Sequence, residues 1–195
     1  MQRYLLYQSK DESSYTFIVE SHMAQANLLP DDARLIWQTE ADSWEIACMK
    51  KHEFLDWEPY KPLITDAKDL RALLPKHKHD LENLQLLMNL GWPTIEPVLP
   101  ELLEWIQDMN WPVAQKLAPF LADLGRVLLP YLGHIFNSDD GMWKYWLITG
   151  VLMKMNRENA EPFRELMENT QKNPSQEDRA CGIPEAVSEF LLRIK

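Results

Sequence analysis

An internal repeat in the last two thirds of the chain constrains the fold more than any other feature. The pair Leu99-Pro100 is followed about thirty residues later by Leu129-Pro130, and Trp111 is followed in the same way by Trp143. Each Leu-Pro pair lies in one apolar helical pattern and each Trp opens the next, so the predicted helices come in pairs. One pair cannot bury its own apolar stripe, and pairs therefore stack until the core is continuous.

The helical patterns of this region are strongly amphipathic. In the clearest one, apolar residues recur at i, i+3, i+4, i+7, i+8 and i+11, which predicts the buried stripe of a helix: Ile95, Val98, Leu99, Leu102, Leu103 and Ile106. Pro100, Pro119 and Pro130 each remove a backbone donor, so each is expected to kink a helix or mark its first turn. The repeat predicts a mainly α fold, an α-α superhelix of HEAT-like or armadillo-like helical repeats.

The first 58 residues follow a different pattern. Residues 4–7 have the composition of a short strand, and apolar residues from Tyr15 to Met23 recur near helical spacing. A Pro-Asp-Asp turn at residues 30–32 leads to a second strand, and Asp42 with Glu45 predicts a capping box for a second helix. We therefore expect a small α+β unit of β-α-β-α order over residues 1–58, a linker over 59–69 and the helical repeats over 70–195.

Charge and cysteine content limit the compartment and the partners. The formal net charge of −10 argues against nucleic acid and against anionic membrane surfaces, because binding to either needs clustered Lys and Arg. Cys48 and Cys181 form no CxxC motif, which favours a reducing compartment. The N-terminal apolar run is too short for a signal peptide, and no stretch approaches the roughly 20 apolar residues that span a bilayer. The expected location is the cytoplasm.

Motifs for catalysis or phosphate binding are missing from the sequence. It contains no G-x-x-x-x-G-K-[ST], G-x-G-x-x-G, G-x-S-x-G or H-E-x-x-H. His77, His79 and Asp80 have the chemistry of zinc ligands, but no second group of ligands lies at a suitable spacing. A solvated loop in which Asp80 caps the following helix is the simpler interpretation. The sequence predicts no catalytic residue, no metal site and no cofactor.

Two similar stretches supply the candidate contact residues. DMNWPV at residues 108–113 and DDGMWKYW at 139–146 each run from an acid through a turn residue to a Trp that opens a helix. The second helices of such arrays commonly line a concave groove, and Trp105 lies off the buried stripe of the preceding helix. The candidates for groove or partner contacts are therefore these residues in and beside the two stretches: Trp105, Asp108, Trp111, Gln115, Trp143, Lys144 and Tyr145. Burial of the tryptophans in the core is the alternative interpretation.

Three segments together resemble a known family. LLPKHKHDLE, ELLEWIQDMNWPVA and WKYWLI are similar to the pattern of a bacterial domain of unknown function, DUF5071, over about residues 70–195. The resemblance implies a HEAT-like all-α fold and no established activity, so no catalytic residue is carried over. The stretch from Asp108 to Gly125 is also similar to the general HEAT pattern, except that Ala114 stands where HEAT repeats usually carry Arg.

Three functions remain open at the level of sequence. The first, which we expect, is a non-catalytic protein–protein interaction module with a protein partner, one version being an immunity-type protein that neutralises a toxin. The second is a nucleic-acid enzyme similar to HEAT-like alkylpurine DNA glycosylases, in which Trp111 stacks on an extruded base and Asp108 supports bond cleavage; the net acidity disfavours it. The third is a self-associating structural domain, in which Trp105 supplies an exposed patch.

Overall fold

The described residues form strands and short helices in the first part of the chain and helices in the rest. The computed structural model describes residues 1–25, 29, 32–64 and 66–195. By their contacts these residues divide into two units, Met1–Leu63 and Ile64–Lys195. The prediction of a mainly helical chain with a small N-terminal α+β unit is confirmed.

The first unit contains a three-stranded antiparallel sheet followed by a helix. Its strands lie in the order β2-β1-β3, with these bounds: β1 Gln2–Gln8, β2 Tyr15–Val19 and β3 Arg34–Ala41. Helix α1 follows at Trp44–Phe54. The register pairs Leu6 of the central strand with Phe17 on one side and Trp37 on the other. Paired residues lie on the same face of a sheet, so these three apolar side chains share one face.

The order of elements in this unit differs from the predicted β-α-β-α. The helix predicted from Tyr15 is wrong, because Tyr15–Val19 is strand β2 and a 3-10 helix follows it at Glu20–Gln25. Pairing with β1 satisfies the backbone of a segment too short to be a stable helix by itself. Helix α1 is capped by Ser43, which accepts a hydrogen bond from Ile46 N–H, and not by Asp42. The predicted turn at 30–32 lies mostly outside the described residues.

Short helices joined by tight turns form the second unit. The α-helices are α2 Ala67–Ala72, α3 Leu81–Leu90, α4 Leu99–Glu104, α5 Pro112–Leu124, α6 Leu129–Phe136, α7 Gly141–Trp146, α8 Arg157–Ala160, α9 Arg164–Lys172, α10 Gln176–Ala180 and α11 Ile183–Arg193. Three of them are entered through a 3-10 segment: Glu96–Val98 before α4, Gly125–Leu128 before α6 and Glu161–Phe163 before α9. No helix in the described ranges is long and apolar enough to cross a membrane.

The buried stripe and the proline positions predicted for this unit are confirmed, but the helix predicted from Ile95 to Ile106 consists of a 3-10 segment, α4 and a second 3-10 segment. Every residue of the predicted stripe from Ile95 to Ile106 is fully buried. Pro100 and Pro130 occupy the first turns of α4 and α6, and Pro119 lies inside α5. These are positions where the missing backbone N–H is either unneeded or bends the helix.

The helix predicted after the second corner is not a single α-helix. Helix α7 continues as a π-helix at Leu147–Val151 and then as a 3-10 helix at Leu152–Lys154. A Cβ atom at Gly150 would lie 3.2 Å from Sδ of Met109, so the π-helix and the first corner are in close contact. A methyl group at position 150 would require the Met109 side chain to move by a few tenths of an ångström.

Candidate functional site

The first corner, DMNWPV, is held by its own side chains. Oδ1 of Asp108 accepts hydrogen bonds from the backbone N–H and the side-chain amide of Asn110, at 2.9 and 2.8 Å. Trp111 N–H donates to the carbonyl of Asp108 at 3.1 Å, and Nε2 of Gln115 donates to the carbonyl of Met109 at 3.1 Å. These local bonds form a turn of the kind that Asp and Asn favour. Asp108 and Gln115 therefore stabilise the corner through these hydrogen bonds.

Two tryptophans from this region form one wall of a cavity. The rings of Trp105 and Trp111 lie edge to face, with centroids 5.6 Å apart, and both are half-buried. The cavity has a volume of about 390 Å³, and its wall also includes Leu74, Pro75 and Glu104. The structure therefore brings Trp105 and Trp111 together at an accessible aromatic site with an acidic edge.

The second corner, DDGMWKYW, uses a different turn. Asp140 caps α7 by accepting a hydrogen bond from Trp143 N–H at 2.9 Å. Trp143 is thus the third residue of its helix, whereas Trp111 precedes α5 as its N-cap. The indole Nε1 of Trp143 donates to the carbonyl of Leu103 at 3.1 Å, which ties α7 to the end of α4. Trp143 therefore acts mainly as a tie between helices.

Lys144 does not lie on a surface that a partner can reach, so its place among the predicted contacts is wrong. Its Nζ lies 2.7 Å from Oδ1 of Asp178, and the two side chains are only 3% and 8% exposed. Asp178 also forms a capping box with Ser175 at the start of α10. Burial by itself raises the pKa of Asp178, but the hydrogen bonds from Lys144 and Ser175 outweigh it and lower that pKa below 3.8.

Tyr145, the last predicted contact, lines a larger cavity between α7 and α11. Its ring packs edge to face on Trp146, with centroids 5.1 Å apart. The cavity has a volume of about 660 Å³, and Cys181, Glu185 and Glu189 also line it. Sequence reasoning missed these three residues, because they lie more than thirty positions further along the chain.

The pKa of Cys181, in the wall of this cavity, is raised by burial and by nearby negative charges. Its Sγ lies 3.5 Å from Oε1 of Glu177. Burial raises the pKa of the Cys181 thiol, and the hydrogen bond and negative charge of Glu177, together with the charges of Asp140 and Asp178, raise it further. A thiolate is therefore disfavoured here, which is the opposite of what a nucleophilic cysteine needs.

The first unit presents an aromatic surface that sequence reasoning also missed. We use this name for four side chains that are 39–46% exposed: Tyr15, Trp44, Phe54 and Trp57. Trp44 and Phe54 are the first and last residues of α1, and their spacing of ten residues does not place them on one helix face. The neighbouring strands contribute only after the sheet has formed.

Ring contacts hold the aromatic surface together. Trp37 stacks on Phe54 with centroids 5.2 Å apart, and Tyr15 meets Trp57 edge to face at 5.6 Å. Nζ of Lys51 lies 5.1 Å from the ring centroid of Phe17 and 5.6 Å from that of Trp57. A cation at these distances is attracted by both rings, so Lys51 links Phe17 to Trp57.

His77, His79 and Asp80, which have the chemistry of zinc ligands, form hydrogen bonds within the chain before and at the start of α3. His79 N–H donates to Nδ1 of His77 at 3.3 Å, and Asp80 caps α3 by accepting from Asn83 N–H at 3.2 Å. The described parts of the chain contain no group of three or more His, Cys, Asp or Glu side chains placed to hold a metal ion.

Comparison with known proteins gives one family. The model of the family described as Domain of unknown function (DUF5071) matches residues 73–191, which is more than half of the chain. The chain belongs to this family. No curated protein matches it.

Proposed function

We propose that this member of DUF5071 is a non-catalytic protein-binding module, in which HEAT-like helical repeats and the N-terminal unit each supply a contact surface. The repeat interpretation is supported by the 3-10 segments that enter α4, α6 and α9 at a spacing of about thirty residues. Arrays of paired helices serve mainly as binding scaffolds.

The aromatic surface is the observation that carries the proposal. Leaving large apolar side chains in water forfeits roughly 25 cal/mol for each Å² of apolar area, so an exposed cluster needs a reason other than folding stability. Clustered apolar surface marks sites of protein interaction, and Trp and Tyr dominate the residues that contribute most to binding energy. Lys51 links Trp57 to Phe17 before binding, which reduces the entropy lost on association.

The charge of the chain narrows the partner. A net charge of −10 repels acidic proteins and polyanions over the whole surface, and it speeds encounter with basic ones. Glu104 places a carboxylate at the edge of the Trp105–Trp111 cavity, whereas Glu101 at the same edge is paired with Arg71. The partner we propose is therefore a protein with a neutral or basic contact face.

The test is affinity capture with the full chain and two single variants. Trp57→Ser removes one member of the aromatic surface, and Trp92→Ser is the matched control, because Trp92 is 38% exposed but belongs to the second unit. We expect a stoichiometric partner that is retained by the wild type and by Trp92→Ser and lost with Trp57→Ser. Circular dichroism spectra should be unchanged in both variants.

Two outcomes would contradict the proposal. One is the capture of no stoichiometric protein, and the other is a partner that Trp57→Ser retains fully. Light scattering separates the self-associating alternative, since a dimer that dissociates in Trp57→Ser would make a second copy of the chain the occupant of the surface.

The glycosylase-like alternative has less support. Oδ1 of Asp108 already accepts two hydrogen bonds from Asn110, and the cavity beside Trp111 has carboxylates at its edge, which repel phosphates. Binding of duplex DNA at low ionic strength, together with base excision that Asp108→Asn abolishes, would restore this alternative.

A further inference from the structure

We infer that the cavity between α7 and α11 binds the guanidinium group of an arginine side chain carried by a partner protein. The site is separate from the aromatic surface and from the Trp105–Trp111 cavity. The proposed function supplies only the source of the arginine, and the chemistry of the cavity can be tested without it.

The aromatic part of the cavity comes from two neighbouring residues of α7. Tyr145 and Trp146 are both half-buried and lie edge to face, so one ring orients the other. Oγ1 of Thr149 donates to the carbonyl of Tyr145 at 2.8 Å, which links this wall to the π-helix. A planar guanidinium stacks on such rings and is attracted by their π electrons.

The acidic part of the cavity comes from α11. Glu185 and Glu189 are one helical turn apart, and like charges at this spacing repel each other. No lysine or arginine of the described chain lines the cavity, and neither carboxylate has an ion-pair partner among the described residues. Lys144, the lysine next to the aromatic wall, is paired with Asp178. A bound cation would relieve this repulsion.

The two carboxylates are not equivalent. Glu185 lies in the first turn of α11, where a negative charge stabilises the helix without any ligand. Glu189 lies one turn further on and is exposed, and it is too far from the start of α11 to stabilise the helix in this way. A test of the site should therefore replace Glu189.

The cavity is built on fixed parts of the fold. A Cβ atom at Gly141 would lie 2.7 Å from Sγ of Cys181 and 3.1 Å from the carbonyl oxygen of Glu177, so α7 and α10 are in direct contact beneath it. Its volume of about 660 Å³ falls within the range of sites that take small ligands or side chains, about 300–1,000 Å³. A preformed wall spends little free energy on ordering.

The experiment is an NMR titration of the full chain labelled with ¹³C at the methionine methyl groups. Met142 lines the cavity and is the reporter, its signal being assigned with Met142→Leu. The probes are N-acetyl-arginine amide and its neutral isostere N-acetyl-citrulline amide. We expect saturable shifts of the Met142 methyl signal with the arginine compound and none with citrulline.

Two variants connect the binding to charge. Glu189→Gln is expected to weaken binding of the arginine probe at least threefold, as loss of a partly exposed charge pair does. Glu165→Gln, which removes an exposed carboxylate from α9, is expected to leave it unchanged. Equal shifts with arginine and citrulline, or equal affinity in Glu189→Gln, would overturn the inference. Tighter binding of N-acetyl-lysine amide would overturn the guanidinium assignment. Loss of partner capture in Trp57→Ser leaves this titration unaffected, so the two proposals fail independently.

Discussion

Lys144 and Asp178 form an ion pair that spans 34 positions of sequence and is almost completely removed from water. Removing one partner leaves a buried charge without compensation, which costs about 3–5 kcal/mol. We expect Lys144→Met to lower the free energy of unfolding by about this amount, measured by urea unfolding followed by circular dichroism.

The control for this variant is an exposed pair of the same unit. Arg71 and Glu101 lie 2.8 Å apart with side chains 54% and 31% exposed, so Arg71→Gln should cost less than about 1 kcal/mol. Adding Asp178→Asn to Lys144→Met should recover part of the loss, because Asn is neutral and can still cap α10. A double variant that is less stable than Lys144→Met would show that the charge is not the cause.

Stability in acid should depend on Asp178. Its pKa in the folded chain lies below the ordinary value of 3.8, so the unfolded chain binds the proton first as the pH falls. The contribution of Asp178 is therefore fully present at neutral pH and is lost as the pH falls below about 4. Unfolding free energies of the wild type and Asp178→Asn, measured from pH 6 to pH 2.5, should converge at the acid end. A constant difference would contradict the assignment.

The indole hydrogen bond of Trp143 should contribute measurably to stability. Trp143→Phe keeps an aromatic side chain but removes the second ring and the N–H that donates to the carbonyl of Leu103, which is expected to cost about 1–3 kcal/mol. Trp92→Phe is the control, since Trp92 is 38% exposed, and it should change stability by less than about 0.5 kcal/mol. Thermal unfolding of the wild type, Trp143→Phe and Trp92→Phe measures both changes in stability.

Two glycines of neighbouring helices should respond to alanine in opposite directions. A methyl group at Gly141 would meet Cys181 and the backbone of residue 177, so Gly141→Ala should destabilise the chain by about 1–3 kcal/mol. Nothing lies within 4 Å of the same position at Gly133 in α6, where alanine should stabilise by about 0.5–1 kcal/mol. Differential scanning calorimetry of both variants gives the signs directly.

The thiol of Cys181 should alkylate slowly at neutral pH. Its pKa lies above the ordinary value of 9.0, so the reactive thiolate is scarce. Glu177→Gln removes a negative charge beside the thiol and leaves a weaker hydrogen-bond acceptor, so it should shift the pH dependence of iodoacetamide modification to lower pH. Peptide mass spectrometry distinguishes Cys181 from the buried Cys48. An unchanged profile would remove Glu177 as a cause.

Local signals in the sequence were enough to locate most helices of the second unit, but not the π-helix after α7. The spacing from Ile95 to Ile106, the cap at Asp80 and the prolines at 100 and 130 act within a few residues, so they can be read without knowing the fold. The strand at Tyr15–Val19 could not be predicted in the same way, because its stability comes from pairing with β1.

The residues of the candidate site also divide into those that a local pattern predicts and those that depend on distant parts of the chain. The contact of Trp105 with Trp111 lies within one corner, and both residues were among the predicted contacts. Lys144 is buried in an ion pair with Asp178, and α11 supplies the wall opposite Tyr145. Both partners come from distant parts of the sequence, and no local pattern marks them.

The π-helix at Leu147–Val151 has a consequence for the length of the chain. Each residue of an α-helix turns the side chains by about 100°, and a π turn holds one residue more than an α turn. Deleting Thr149 would return the segment to an ordinary helix and leave the residues after it in nearly the same orientation relative to Tyr145, because the wider turn takes up the extra residue. The π turn therefore adds Thr149 to the wall of the cavity without changing the phase between Tyr145 and the buried Leu152. A chain one residue shorter here would keep the same helices and lose that side chain from the cavity wall.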